Sequence, residues 1–289
     1  MSFEPLIPYV QIPDLVLVPR GALGDFPPAP LAIKPFGTLV AIGVYLGSWL
    51  VLRHGRRVGL HEQALASFMV FVGGGGFLFG HVLDVVFYFP ERILADPLSL
   101  VRVWDGLSSF GGFTGALIGA LAWRAKYRVP MLPYADAVAS GFPVGWCLGR
   151  LGCSVAHDHP GLRSEAWYAV QYPGGGRVDL GLAELALCLP IAIAALALRR
   201  QHRPWGFFLG VTCTAYAPLR FCLDFLRARD TPVVDARYLG LTPAQWGSMG
   251  LLAVGLVCLT RALRGAGDPA ALRAPAPPEG FPARAARSG

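Results

Sequence analysis

Long apolar runs separated by short polar stretches dominate the chain. Seven such runs are legible, at about residues 36–52, 64–89, 106–123, 131–152, 180–198, 205–226 and 245–263. Since about 20 apolar residues carry a helix across the hydrocarbon core, the pattern predicts an all-α polytopic membrane protein with seven transmembrane helices. The second run holds Gly73, Gly74, Gly75 and Gly76, which permit either a helix break or close helix approach; close packing is the expectation. In the third run Gly111, Gly112, Gly115 and Gly119 place small residues at four-residue spacing, a helix-contact stripe. The fourth is the weakest as a span, because it contains Pro133, Pro143 and Arg150.

Three stretches fall outside this pattern. Residues 1–35 hold eight prolines and read as an extended interfacial arm. Residues 153–179 are polar and rich in proline and glycine, a small head between helices four and five. Residues 264–289, rich in Ala, Pro, Gly and Arg, are expected to form a disordered tail. The predicted organisation is thus an arm (1–35), a seven-helix domain (36–263) and a tail (264–289).

Composition agrees with a membrane protein: 54% of residues are hydrophobic and only 15% charged. The net charge of +7 could point to nucleic acid, but its distribution explains it otherwise. The compact clusters RHGRR, RAKYR and RRQHR follow runs one, three and five. With the tail they carry 14 basic residues, against nine on the other side. By the positive-inside rule the N-terminus and head lie outside and the tail is cytoplasmic, so no nucleic-acid partner is expected. The first residues, MSFEPLIPYV, lack a basic region followed by an apolar core, so no cleavable signal peptide is expected. The six cysteines show no CxxC spacing.

An ionisable group inside the membrane is costly and marks a candidate site. With the topology assigned, Arg150, Arg220, Asp224, His81, Asp84 and Glu184 all fall in the outer leaflet, and Asp136 lies toward the cytoplasmic side. Arg220 with Asp224 (i,i+4) and His81 with Asp84 (i,i+3) could each be a local helix lock. Six such groups from four helices at one depth point instead to a polar cavity. Two guanidinium forks suit a phosphate, and a site within the outer leaflet suits a phospholipid headgroup. Such a chain would be a phospholipid-handling enzyme or transporter, and a transporter is disfavoured because alternating access places its site near the midplane.

The segments VRVWDGLSSFGGFTGALIG, PVGWCLGRLGC and AYAPLRFCLDFLRARD resemble the prolipoprotein diacylglyceryl transferase family over roughly residues 5–263. The resemblance implies a seven-helix inner-membrane enzyme. It would move the diacylglyceryl group of phosphatidylglycerol to the lipobox cysteine thiol in the signal peptide of a preprolipoprotein. It also implies that Arg150 and Arg220 hold the lipid phosphate, that Asp224 stands where the family has a glutamate, and that Arg227, Asp230 and Glu184 match family positions. His81, Gly111 and Gly112 fall among the implied substrate-binding positions.

Departures accompany the match. The third-span motif S-F-H-G-G reads Ser109, Phe110, Gly111, Gly112 here, so glycine replaces the family's histidine. Phe36 replaces a tyrosine, and the asparagine-led stretch after GRLG reads C-S-V-A-H-D-H, where Asp158 can stand in for a glutamate. The thiol needs a base, and His157, His159 or His81 is expected to supply it. A metal site built from His157, Asp158 and His159 is not expected, because adjacent residues seldom present three ligands to one ion. No cofactor is expected either. The remaining alternative is a catalytically inactive homologue that binds phospholipid or lipoprotein.

Overall fold

The computed structural model describes residues 7–20, 31–102, 106–231 and 235–281. Eight α-helices occur among them: α1 (Pro35–Arg57), α2 (Glu62–Tyr88), α3 (Pro90–Ala95), α4 (Ser109–Tyr127), α5 (Leu132–Ala156), α6 (Leu180–Leu198), α7 (Phe207–Leu223) and α8 (Pro243–Arg264). Each of the seven apolar runs is therefore a helix. Four of these, α1, α2, α6 and α8, are long and apolar enough to cross a membrane. The short α3 and a 3-10 turn at Pro97–Val101 occupy the link between α2 and α4.

Helix ends lie where local chemistry places them. His61 caps α2 by accepting from the Ala64 N–H, and Ser108 caps α4 by accepting from the Gly111 N–H. Thr242 and Gln245 form a reciprocal capping box at the start of α8. The basic clusters read as loops are partly helical. RHGRR closes the last turn of α1, and RAKYR ends α4, where cations complement the C-terminal dipole. Arg57 also donates to the carbonyls of Arg199 and Arg200, at 3.2 and 2.5 Å, which covers the end of α6.

The chain divides into two compact units. One comprises Met1–Gly47, Pro143–Ala192 and Phe225–Val234; the other comprises Ser48–Phe142, Ile193–Asp224 and Asp235–Gly289.

In the second unit α2 pairs with α4 and α7 with α8. The glycine quartet of α2 leaves the helix unbroken, and its second half, Gly75 and Gly76, packs closely on α4. A Cβ at Gly75 would strike the Gly115 carbonyl oxygen, and one at Gly119 would strike that of Phe71. Phe68, Trp123 and Tyr134 form the centre of this unit's apolar core, joined by Leu60 and Leu65. Asp136, buried on α5, accepts from the Leu209 N–H at 2.8 Å and so caps α7 from a neighbouring helix. The tail departs from the expectation of disorder over residues 265–281. It forms a 3-10 turn at Pro269–Leu272, the Ala271 carbonyl accepts from the Trp205 N–H, the Arg273 carbonyl accepts from the Trp205 indole, and Phe281 packs edge-on against His61 and tilted against Tyr127. Aromatic and alanine side chains within the tail supply the apolar surface that composition alone understated.

The first unit holds a small head of three antiparallel strands, β3 (Pro160–Arg163), β4 (Val170–Tyr172) and β5 (Gly175–Asp179), in the order β3-β5-β4. The described residues of the proline-rich arm include two extended strands. They form a two-stranded ribbon of β1 (Leu15–Val18) and β2 (Leu31–Ile33), and Ile7 pairs with Val170 of the head. In the same unit α1 and α5 meet at Gly43 and Gly145, where an added Cβ would come within 2.7 Å of the partner's carbonyl oxygen.

Candidate functional site

Each unit holds its own set of paired ionisable groups. In the first unit Arg150, on the last turns of α5, is buried with Glu184 of α6, its Nε 2.9 Å from Glu184 Oε1. Trp146 lies one turn before Arg150 on the same helix. Its ring sits 4.7 Å beneath the guanidinium, and its indole N–H donates to the same Glu184 oxygen at 3.1 Å. Arg150 Nη1 also approaches Cys153 Sγ at 3.7 Å. Indole and carboxylate fix the guanidinium plane, leaving a buried cation of defined orientation, the arrangement that suits an oxyanion.

Beyond α5 the chain reverses at His157, whose φ of 51° is left-handed. The imidazole Nδ1 lies 2.8 Å from Asp179 Oδ2, Nε2 lies 3.2 Å from the Val10 carbonyl, and Tyr9 stacks on the ring at 4.0 Å. Asp179 also accepts from the Tyr172 hydroxyl at 2.8 Å and from the Leu182 N–H at 2.9 Å, so it caps α6 while tying the head together. Burial and the adjacent Asp179 carboxylate push the Tyr172 phenol above its usual range. Asp158 and His159 follow on the surface of this turn, with Asp158 Oδ1 3.6 Å from His159 Nδ1.

Arg227 and Asp230 also belong to this unit. Arg177 grips Asp230 with two hydrogen bonds of 2.9 and 2.7 Å, and Arg163 adds a third of 2.9 Å. Arg177 and Arg163 together hold the Asp230 carboxyl well below the usual carboxylate range. Arg227 forms a β-bridge with Gly161. The segment after α7 is thereby latched to the head sheet.

In the second unit Arg220 donates to Asp224 Oδ1 at 2.6 Å, and the Thr242 hydroxyl donates to Asp224 Oδ2. Asp224 is fully buried and Arg220 nearly so. Gln245, the capping-box partner of Thr242, donates to the Phe221 carbonyl at 3.2 Å, so the start of α8 braces the end of α7. His81 is fully buried on α2, with Nδ1 3.0 Å from the Gly106 carbonyl and Nε2 2.8 Å from that of Ser99. Both ring nitrogens thus face main-chain oxygens and tether the segment between α2 and α4.

Gly111 lies on the α4 face that meets α2. A Cβ there would come within 2.5 Å of the Phe79 carbonyl oxygen and 2.9 Å of that of Gly80. Gly111 is therefore a helix-contact residue, and no larger side chain fits without movement. Gly112, one residue on, has its nearest such neighbour at 3.9 Å, the Gly76 carbonyl oxygen.

This geometry joins a wide sequence match. The profile of the prolipoprotein diacylglyceryl transferase family covers residues 26–261. The chain belongs to that family. A Chromohalobacter salexigens protein named phosphatidylglycerol–prolipoprotein diacylglyceryl transferase is 32% identical over 238 residues, covering 79% of this chain and 87% of that protein. Proteins of the same name from Allorhizobium ampelinum and Cereibacter sphaeroides are 29% and 28% identical, covering 91% and 89% of this chain and 94% and 99% of theirs. A prolipoprotein diacylglyceryl transferase is a lipoprotein-biosynthesis transferase, and the apolar helices agree with its place in a membrane.

Some residues of the site escaped the sequence reading. Trp146 and Asp179 are the clearest, and each had a local signal. Trp146 precedes Arg150 by four residues, one helical turn, and Asp179 stands directly before an apolar run, the position of an N-cap. Residues 103–105 of the third-span motif, and Arg284 and Arg287 of the tail, lie outside the described residues.

Proposed function

We propose that this protein transfers the diacylglyceryl group of phosphatidylglycerol to the lipobox cysteine thiol of preprolipoprotein signal peptides. It would act in the bacterial inner membrane as a seven-helix enzyme with α4, α5 and α7 as the remaining spans. The arm and the 153–179 head would then be periplasmic and the tail cytoplasmic. What carries the reading is the match to the family through residue 261, joined to buried, oriented arginines at both family arginine positions.

Arg150 and Arg220 would hold the lipid phosphate and receive the negative charge that grows on the departing glycerol phosphate. Glu184 and Asp224 would act as positioning residues that fix each guanidinium. Arg227 and Asp230 would act at a distance, by keeping the segment after α7 on the head. The sequence expectation that His81 or His157 is the base draws little support, since both rings are engaged by carbonyls or by Asp179.

The test is complementation of a strain depleted of its own transferase, with an assay of purified protein on phosphatidylglycerol and a lipobox peptide. Rescue by wild type and failure by Arg150→Ala and Arg220→Ala supports the proposal. Folded protein that binds the lipid and leaves the peptide unmodified would instead favour an inactive homologue.

A further inference from the structure

The turn after α5 brings together three side chains that sequence adjacency would not. Cys153 is buried on the last turn of α5, and the left-handed His157 folds Asp158 and His159 back over it. The ligand atoms of Cys153, Asp158 and His159 all lie within 4.8 Å of one another; His159 Nδ1 is 3.6 Å from Asp158 Oδ1 and 2.9 Å from the Asp158 main-chain carbonyl, a contact that a bound cation would replace or leave to the second ring nitrogen. With metal–ligand bonds of ~2.0–2.3 Å, neighbouring donors on one tetrahedral ion stand roughly 3.3–3.8 Å apart, so the loop needs to close by about 1 Å. Thiolate, imidazole and carboxylate form a borderline-soft set that selects zinc-class ions over magnesium or calcium. Three protein ligands leave the fourth position open, the pattern of catalytic zinc. One thiolate and one carboxylate balance a divalent charge, while Arg150, 3.7 Å from the sulfur, is itself balanced by Glu184. Asp158 and His159 face solvent with 40% and 32% of their side chains exposed, so a fourth ligand has access.

We propose that Cys153, Asp158 and His159 bind one zinc-class divalent cation whose open position takes the incoming lipobox cysteine as a thiolate. This inference rests on the transferase reading for its substrate, and it supplies the thiol activation that Gly111 cannot. A metal-bound thiol is deprotonated outright, its proton leaving to solvent. The sulfur then bonds to the terminal glyceryl carbon of the lipid as that carbon's bond to the phosphate oxygen breaks. The electron pair departs on glycerol phosphate beside Arg150, and no redox partner is needed.

The test uses the full chain in detergent micelles, stripped of metal and free of any affinity tag, and titrated with cobalt(II) as a spectroscopic probe. The expected result is one cobalt per chain with a thiolate charge-transfer band and visible bands of tetrahedral intensity. These are lost in Cys153→Ser and weakened in Asp158→Asn and His159→Gln. A lipobox peptide changes the spectrum and its serine analogue does not. Transfer by the stripped enzyme falls about 10²–10⁴-fold, the scale of a lost activating group, and zinc restores it. A thermal transition shows whether Cys153→Ser folds, and His159→Gln, on the exposed turn, is the second variant. Absence of the thiolate band, or full transfer by metal-stripped protein, overturns the proposal; in the latter case the transferase reading stands. Tetrahedral binding with the peptide-dependent change supports the site even if no metal state transfers lipid, in which case the transferase reading alone fails.

Discussion

Gly111→His, which places the histidine that the resemblance implies, should damage this protein. A Cβ at that position would sit 2.5 Å from the Phe79 carbonyl oxygen, 2.9 Å from that of Gly80 and 3.0 Å from Gly80 Cα. Ordinary carbon–oxygen contacts lie at about 3.3–3.6 Å, so α2 and α4 must part by roughly 0.8 Å before the ring is placed. Overpacking of this kind costs about 1–3 kcal/mol. Gly111→Ala isolates the β-carbon, and Gly73→Ala is its control, because a Cβ at Gly73 meets nothing within 4 Å. Both alanines gain the same helix propensity, up to about 1 kcal/mol, so that gain cancels in their difference. Gly111→Ala should therefore be about 1–3 kcal/mol less stable than Gly73→Ala, with Gly111→His at or beyond the upper end. Thermal or denaturant unfolding in one detergent reads the difference, alongside transfer per folded molecule. If Gly111→His unfolds with wild-type stability and transfers faster than wild type, the reasoning fails, because the contact face would have room for the imidazole.

Glu184→Gln leaves the buried Arg150 without its counter-charge while keeping an acceptor for the Trp146 indole, and should cost about 3 kcal/mol, the low end for breaking a buried pair; unfolding of the variant measures it. Asp136→Ala, which strips the cap from α7, should cost about 0.5–2 kcal/mol while activity per folded molecule stays at the wild-type level. Asp230 has a folded pKa below its unfolded value of ~3.9, so its latch is fully present above that value and is lost as pH falls through the folded pKa. Limited proteolysis at falling pH should then open the head segment, and Asp230→Asn should open it already at neutral pH.

The helices were legible because each apolar run is long and bounded by polar or capping residues, and α6 coincides with its expected limits of 180–198. The arm and tail were harder. Their order depends on Ile7 pairing with Val170 and on Phe281 packing against Tyr127, partners far away in sequence. The sequence pointed to Arg150 and Arg220 by cost, since each is an expensive charge in an apolar run. The i,i+4 spacing also offered Asp224 as the partner of Arg220, but nothing local offered a partner for Arg150. Arg220 uses the helical neighbour Asp224, whereas Arg150 reaches Glu184 on another helix. Gly111 read as a lost function, and only the neighbouring carbonyls explain why glycine stands there. Cys153 gave no signal, since the six cysteines show no CxxC spacing and its approach to Asp158 and His159 depends on one left-handed residue, His157.

The central claim is tested most directly by mass spectrometry of a lipobox peptide incubated with the purified full chain and phosphatidylglycerol. The account predicts a product carrying one diacylglyceryl group on the cysteine sulfur, glycerol phosphate released in equal amount, and no product from folded Arg150→Ala protein. An unmodified peptide after incubation with folded wild-type protein loaded with zinc would contradict it.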